Sequence, residues 1–131
     1  MMTYMLDTNT VSHFLKQHPS VIKRITSLPM DSLCLSVISE GELRYGLARK
    51  PEAKNLHKVV QEFLKRVDVL AWSSDVAQHY GNLRAELEAK GDSLGALDMQ
   101  IAAHAFSIGA TLVTNDQAFK RVKKLKVEDW T

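Results

Sequence analysis

Residues 4–10 read YMLDTNT, and the fold turns on how that stretch divides. Tyr4-Met5-Leu6 is an apolar run suited to a short strand. Asp7, Thr8 and Asn9 then end it with the residue types that cap helices and open turns. A matching exit stands near the other end of the chain, where Ala110 to Thr114 reads as a strand and Asn115-Asp116 leaves it. Between the two, Leu33-Ser36 and Asp68-Ala71 are further strand candidates. The intervening stretches are helical: Thr10 to Lys16, Pro19 to Ser27 after the His18-Pro19 break, Ile38 to Ala48, Ser73 to Lys90 and Asp98 to Ser107. After Pro51, Leu56, Val59, Val60, Phe63, Leu64 and Val67 recur at three-four spacing, a stripe expected to be core or a dimer face. Val127 precedes a terminal Trp130 expected to close the sheet edge. Strands alternating with helices in this order predict an α/β fold, a three-layer α/β/α sandwich around a central, mostly parallel sheet.

The bulk numbers are consistent with that expectation. A chain of 131 residues, 45% hydrophobic and 24% charged, fits one compact domain over 1–131 that buries roughly two thirds of its unfolded surface. Seventeen Lys+Arg against 15 Asp+Glu is too mild an excess to name a partner by itself. The single cysteine, Cys34, lies in the apolar run Leu33-Cys34-Leu35, which excludes an internal disulfide and predicts a buried free thiol in a reducing compartment. The first apolar stretch meets Asp7 too soon for a signal peptide, and no apolar run approaches the ~20 residues of a membrane span. A cytoplasmic protein with no membrane association is expected.

The acids carry more information than the totals. In parallel sheets, sites form beyond the carboxyl ends of the strands, and two strands here end in acids, Asp7 and Asp116. On the helix Ile38 to Ala48, ~100° per residue places Glu42 on an arc with Ile38, Ser39, Leu43, Gly46 and Leu47. Glu40 falls on the far side, four residues before Arg44, in the orientation of a surface ion pair. Asp98 opens DMQIAAHAF, and the small Ala102 and Ala105 on its face predict space above that helix. Each acid has an ordinary explanation as a cap, a turn residue or a boundary residue. Four such coincidences at strand ends and helix faces are less probable than one shared site. Clustered carboxylates repel unless a cation intervenes, and an all-carboxylate set suits Mg²⁺ or Mn²⁺. Zinc fits poorly: the five histidines make no i, i+4 pair, and there is one cysteine. No phosphate loop, dinucleotide fingerprint or nucleophile elbow is present.

These motifs in this order, MLDTN, ISEGELRYGL, DMQIAAHA, TLVTND and the final Glu128-Asp129-Trp130, resemble the PIN-domain ribonuclease toxins of the VapC type across essentially the whole chain. The resemblance implies a PIN fold, normally dimeric, with Asp7, Glu42 and Asp98 as the core acids and catalytic metal ligands and Asp116 as the fourth. Thr8, Asn9, Ser39, Thr114 and Asn115 match polar positions that line or brace the site. The implied activity is Mg²⁺- or Mn²⁺-dependent hydrolysis of RNA, leaving a 5′-phosphate and a 3′-hydroxyl. Enteric-type relatives cut a transfer RNA near its anticodon, and others cut ribosomal RNA. The resemblance also implies a cognate VapB-type antitoxin whose arginine or lysine enters the acidic pocket, with operator DNA met only through the antitoxin complex. RNA grip is expected from basic residues at the rim: Arg44, Arg49, Lys50, Arg84, Lys120 and Arg121, with Lys123 and Lys124 beyond.

Two other functions are weighed against this one. A phosphatase with a strand-end aspartate nucleophile needs a second acid two residues on, where this chain has Asn9. An RNA-binding module of the same fold would be expected to lack at least one of the four acids, and all are present.

Overall fold

The computed structural model describes residues 2–131. Five strands, β1 (Tyr4–Leu6), β2 (Leu33–Ser36), β3 (Asp68–Leu70), β4 (Thr111–Val113) and β5 (Val127–Glu128), form one sheet in the order β3-β2-β1-β4-β5. Every neighbouring pair is parallel. The helices are α1 (Thr8–Leu15), α2 (Pro19–Thr26), α3 (Val37–Ala48), α4 (Lys54–Arg66), α5 (Ser74–Ala89) and α6 (Ala96–Ser107).

Strand alternation divides the core in two. Tyr4, Leu6, Leu33, Leu35 and Val113 face one side, with buried residues of α1 to α4. Met5, Cys34 and Leu112 face the other, against Leu83 and Leu87 of α5 and the buried side of α6. The expected three layers are therefore present. Val60, Phe63 and Val67 are buried and Leu56 and Leu64 pack against them, so the stripe on α4 is core. Cys34 is a buried free thiol, its pKa pushed up to about 12 by burial and by the charge of Asp68. Among the described residues, no helix is long and apolar enough to cross a membrane.

Local chemistry sets the ends of the elements. Asp7, Ser36 and Ser73 cap α1, α3 and α5 through their side chains, and Pro19 occupies the first turn of α2 behind a capping His18. Gly91 and Gly109, at φ +70° and +69°, follow α5 and α6 in the left-handed conformation that turns the chain back. Three expectations change. Helix α6 begins at Ala96, so Asp98 is its third residue rather than its first. Helix α1 begins at Thr8, directly after the capping aspartate. A fifth strand, too short to show any periodicity, pairs Val127 with Leu112 and Glu128 with Val113. Trp130 beyond it is buried, with its ring edge-on to Tyr4 at 5.2 Å.

Candidate active site

The sheet order reverses at β1: the chain moves from β1 through β2 to β3 on one side, then returns to β4 on the other. A crevice opens at such a point beyond the strands' carboxyl ends. Leu6 and Val113 are in register there, and the Asp7 N–H donates to the Val113 carbonyl at 3.0 Å. Asp7 and the Thr114–Asp116 segment therefore leave the sheet side by side.

Each acid is held by its own element. Asp7 is 5% exposed, and its Oδ1 accepts the Thr10 N–H at 2.7 Å as the cap of α1. Thr10 Oγ1 in turn donates to the Val113 carbonyl at 3.0 Å, tying α1 to β4. Asp116 Oδ1 accepts from the Ala118 N–H at 2.9 Å, and the Asp116 N–H donates to the buried Thr114 hydroxyl at 3.0 Å. Glu42, half-buried on α3, accepts from Thr8 Oγ1 at 2.6 Å. Asp98 is half-buried near the start of α6. Its carboxyl is raised above the ordinary carboxylate range, by burial first and then by the charges of Asp116, Glu42 and Asp7. All three other acids thus act on one carboxyl.

None of the four enters an ion pair among the described residues, whereas Glu40, on the other side of α3, pairs with Arg44 at 2.9 Å. Among the described residues, no three His, Cys, Asp or Glu side chains close into a preformed metal cage. The donor set nevertheless suits a hard cation that takes few protein ligands and keeps several waters, as Mg²⁺ does. It is all oxygen and partly buried, and Asp7, Glu42 and Asp116 each keep one carboxylate oxygen outside the hydrogen bonds just described.

The polar residues around the acids divide. Thr8 and Thr114 hold site groups directly, Ser39 is buried with its hydroxyl unpartnered, Asn115 is half-buried and Asn9 is exposed. Ala102 and Ala105 depart from expectation: both are fully buried in the core, so their small size lets α6 pack closely instead of leaving space over Asp98.

The basic residues also separate. Arg49 and Lys50 line a groove of about 380 Å³ between α1, α3 and α4, with Thr8, Glu42 and Gly46 at its acidic end and Leu43, Leu47 and Val60 along its apolar wall. Lys16 joins them, a residue that no motif marked. Arg44 is instead engaged by Glu40 on the far side of α3, because ~100° per residue carries it away from Glu42. Arg84 is engaged by the Tyr80 hydroxyl and Glu88, and Lys124 by Glu86. Arg121 donates to the Ser93 carbonyl at 2.9 Å and so staples the turn after Asp116 to the loop before Asp98. Lys120 and Lys123 are exposed.

The model of the PIN domain matches residues 4–125. The chain is also 37% identical over 131 residues to the tRNA(fMet)-specific endonuclease VapC of Salmonella typhimurium, covering 99% of each sequence. The chain belongs to the VapC family of PIN-domain proteins. Another VapC relative, ribonuclease VapC of Haemophilus influenzae, is 37% identical over 99% of each chain. The fold matches the crystal structure of DNA-bound VapBC from Salmonella typhimurium with a TM-score of 0.92, 37% identity and full coverage of both chains. VapC membership agrees with the sheet order and with the crevice in which the acids meet.

Proposed function

We propose that this VapC-family protein is the endoribonuclease toxin of a type II toxin–antitoxin pair, acting in the cytoplasm and restrained by a VapB-type antitoxin. The observation that carries this is the convergence of Asp7, Glu42 and Asp116 on Asp98, at the sheet's switch point, with no ion pair to any of the four among the described residues. Asp7, Glu42, Asp98 and Asp116 would hold Mg²⁺ or Mn²⁺, which when bound supplies charge neutralisation and activation of water for attack on a phosphodiester. Thr8 orients the Glu42 carboxylate through its 2.6 Å hydrogen bond to Oε1, which leaves Oε2 free of that bond. Thr10 and the Val113 carbonyl hold Asp7 in place, and Thr114 fixes the backbone from which Asp116 projects. Lys16, Arg49 and Lys50 share a groove with Glu42, from which they would grip RNA phosphates. A loop with splayed bases suits such a crevice better than a duplex, whose narrow groove admits few side chains.

The relative whose name specifies tRNA(fMet) makes an initiator transfer RNA the first substrate to test. Purified protein with Mg²⁺ is expected to cut it near the anticodon and leave a 5′-phosphate and a 3′-hydroxyl, while the Asp98→Asn variant does not. Binding without cleavage, for both structured transfer and ribosomal RNA, would instead identify an RNA-binding module.

A further inference from the structure

Ser36 and His104 meet through a hydrogen bond of 2.7 Å between Oγ and Nδ1, with both residues almost completely buried. No step assigned above uses either side chain. Buried polar groups are unfavourable unless each donor and acceptor is matched. Here the matching can be followed for the two atoms that meet. Ser36 Oγ already accepts the Ile38 N–H at 3.1 Å as the cap of α3. The hydroxyl's own proton then needs an acceptor, and Nδ1 is the partner in reach. That arrangement leaves the imidazole proton on Nε2. Burial favours the neutral ring by pushing the pKa of His104 down, and the Trp72 ring stands edge-on to it at 5.6 Å.

The pair joins two elements that carry different acids. Ser36 ends β2 and starts α3, the helix of Glu42; His104 lies on α6, six residues beyond Asp98. In the sheet, Leu35 is in register with Leu6, so Ser36 is level with Asp7 and lies under the crevice. We propose that His104 is a positioning residue of the cleavage reaction: through Ser36 it fixes the start of α3 against α6 and so sets Glu42 against Asp98. Apolar packing is non-directional, whereas a buried hydrogen bond holds only over a few tenths of an ångström. A catalytic constellation loses function when its members shift by about 0.5 Å. The loss falls on kcat and not on KM, because Arg49 and Lys50 lie along the groove, away from this link.

This proposal rests on the ribonuclease function above, and its test separates the two. The variants Ser36→Ala, His104→Phe and the double variant are compared with wild type for RNA cleavage and thermal stability. Each single variant strands a buried polar group and loses stability, whereas the double variant removes both partners of the pair and recovers that part, keeping only the loss of the α3 cap that Ser36→Ala brings by itself. A purely structural pair would therefore regain activity in the double variant. A positioning pair does not: kcat stays down by about tenfold or more with KM within about twofold of wild type. His104→Asn, which keeps an acceptor near the Nδ1 position, is expected to restore most of kcat. A folded double variant with wild-type kcat overturns the proposal. So does a ¹⁵N NMR signal of His104 Nδ1 that shows no hydrogen bond in the wild-type protein, a readout independent of activity and available should the double variant fail to fold. Wild-type protein that cuts no RNA would instead overturn the assigned function, leaving the NMR result to test the link alone.

Discussion

Glu40, Glu62, Glu86 and Glu88 each stand about one helical turn from a lysine or arginine on the outer surface, whereas Asp7, Glu42, Asp98 and Asp116 meet in the crevice with no base paired to them among the described residues. The outer pairs are solvated and screened, so they contribute little to stability. The inner acids are partly desolvated and repel one another, which raises the pKa of Asp98. The same residue type therefore serves two purposes, and the decisive difference is the missing counter-charge. On the proposed function, the crevice would receive a cation from outside, and the groove that Glu42 shares with Lys16, Arg49 and Lys50 would take a phosphate along with it.

The largest effect that would test this contrast is on activity. Asp7→Asn or Asp98→Asn should abolish RNA cleavage, by at least about two orders of magnitude or roughly 2.7 kcal/mol of transition-state stabilisation, and relieve growth arrest in cells while the protein stays folded. Variants that are folded and cut at the wild-type rate would dissolve the shared site. A smaller effect is on stability in the presence of metal. Mg²⁺ or Mn²⁺ at ten times its dissociation constant should stabilise the folded wild type by about 1.4 kcal/mol, since binding favours the folded state only. Calorimetry should find that shift reduced in Asp98→Asn; an equal shift in both proteins would place the metal elsewhere.

The smallest effect concerns pH without metal. Because the Asp98 pKa is raised in the folded state, the folded protein holds more protons than the unfolded chain between the ordinary carboxylate pKa and the raised one. Stability attributable to this group then falls as pH rises through that window and stays lower above it. Asp98→Asn should accordingly stabilise the metal-free protein at neutral pH, with the gain vanishing below pH 3.8, the ordinary aspartate value. Denaturant titrations across that range in a metal chelator check both the sign and the window.

Much of this was legible in the chain because it depends on local patterns. Strand ends at Asp7 and Asp116 are marked by the abrupt change from apolar to polar residues, and the division between Glu42 and Glu40 follows from helical period alone. What escaped depends on tertiary placement. Ala102 and Ala105 suggested open space, but a small residue on a helix permits close packing equally well, and only the neighbour decides. Strand β5 has two residues, fewer than any periodicity needs, and takes its structure from pairing with β4. Arg44 and Arg84 are the exception, since the acid that engages each lies one helical turn away, a local pattern that the helical period shows for Glu40 and that holds equally for Glu88. Lys16 belongs to the groove through the packing of α1 on α3 and α4, and Ser36 meets His104 across 68 positions of sequence; neither contact leaves a local signal.

Glu42 and Glu40 offer the most direct measurement, since they are identical side chains on one helix with opposite surroundings. Glu42 accepts from Thr8 in the crevice, and Glu40 pairs with Arg44 at the surface. RNA cleavage by Glu42→Gln and Glu40→Gln, assayed side by side with Mg²⁺, should fall by at least about two orders of magnitude in the first and remain at the wild-type level in the second. An inactive Glu40→Gln beside an active Glu42→Gln would contradict the helix register, the unpaired-acid crevice and the site assignment together.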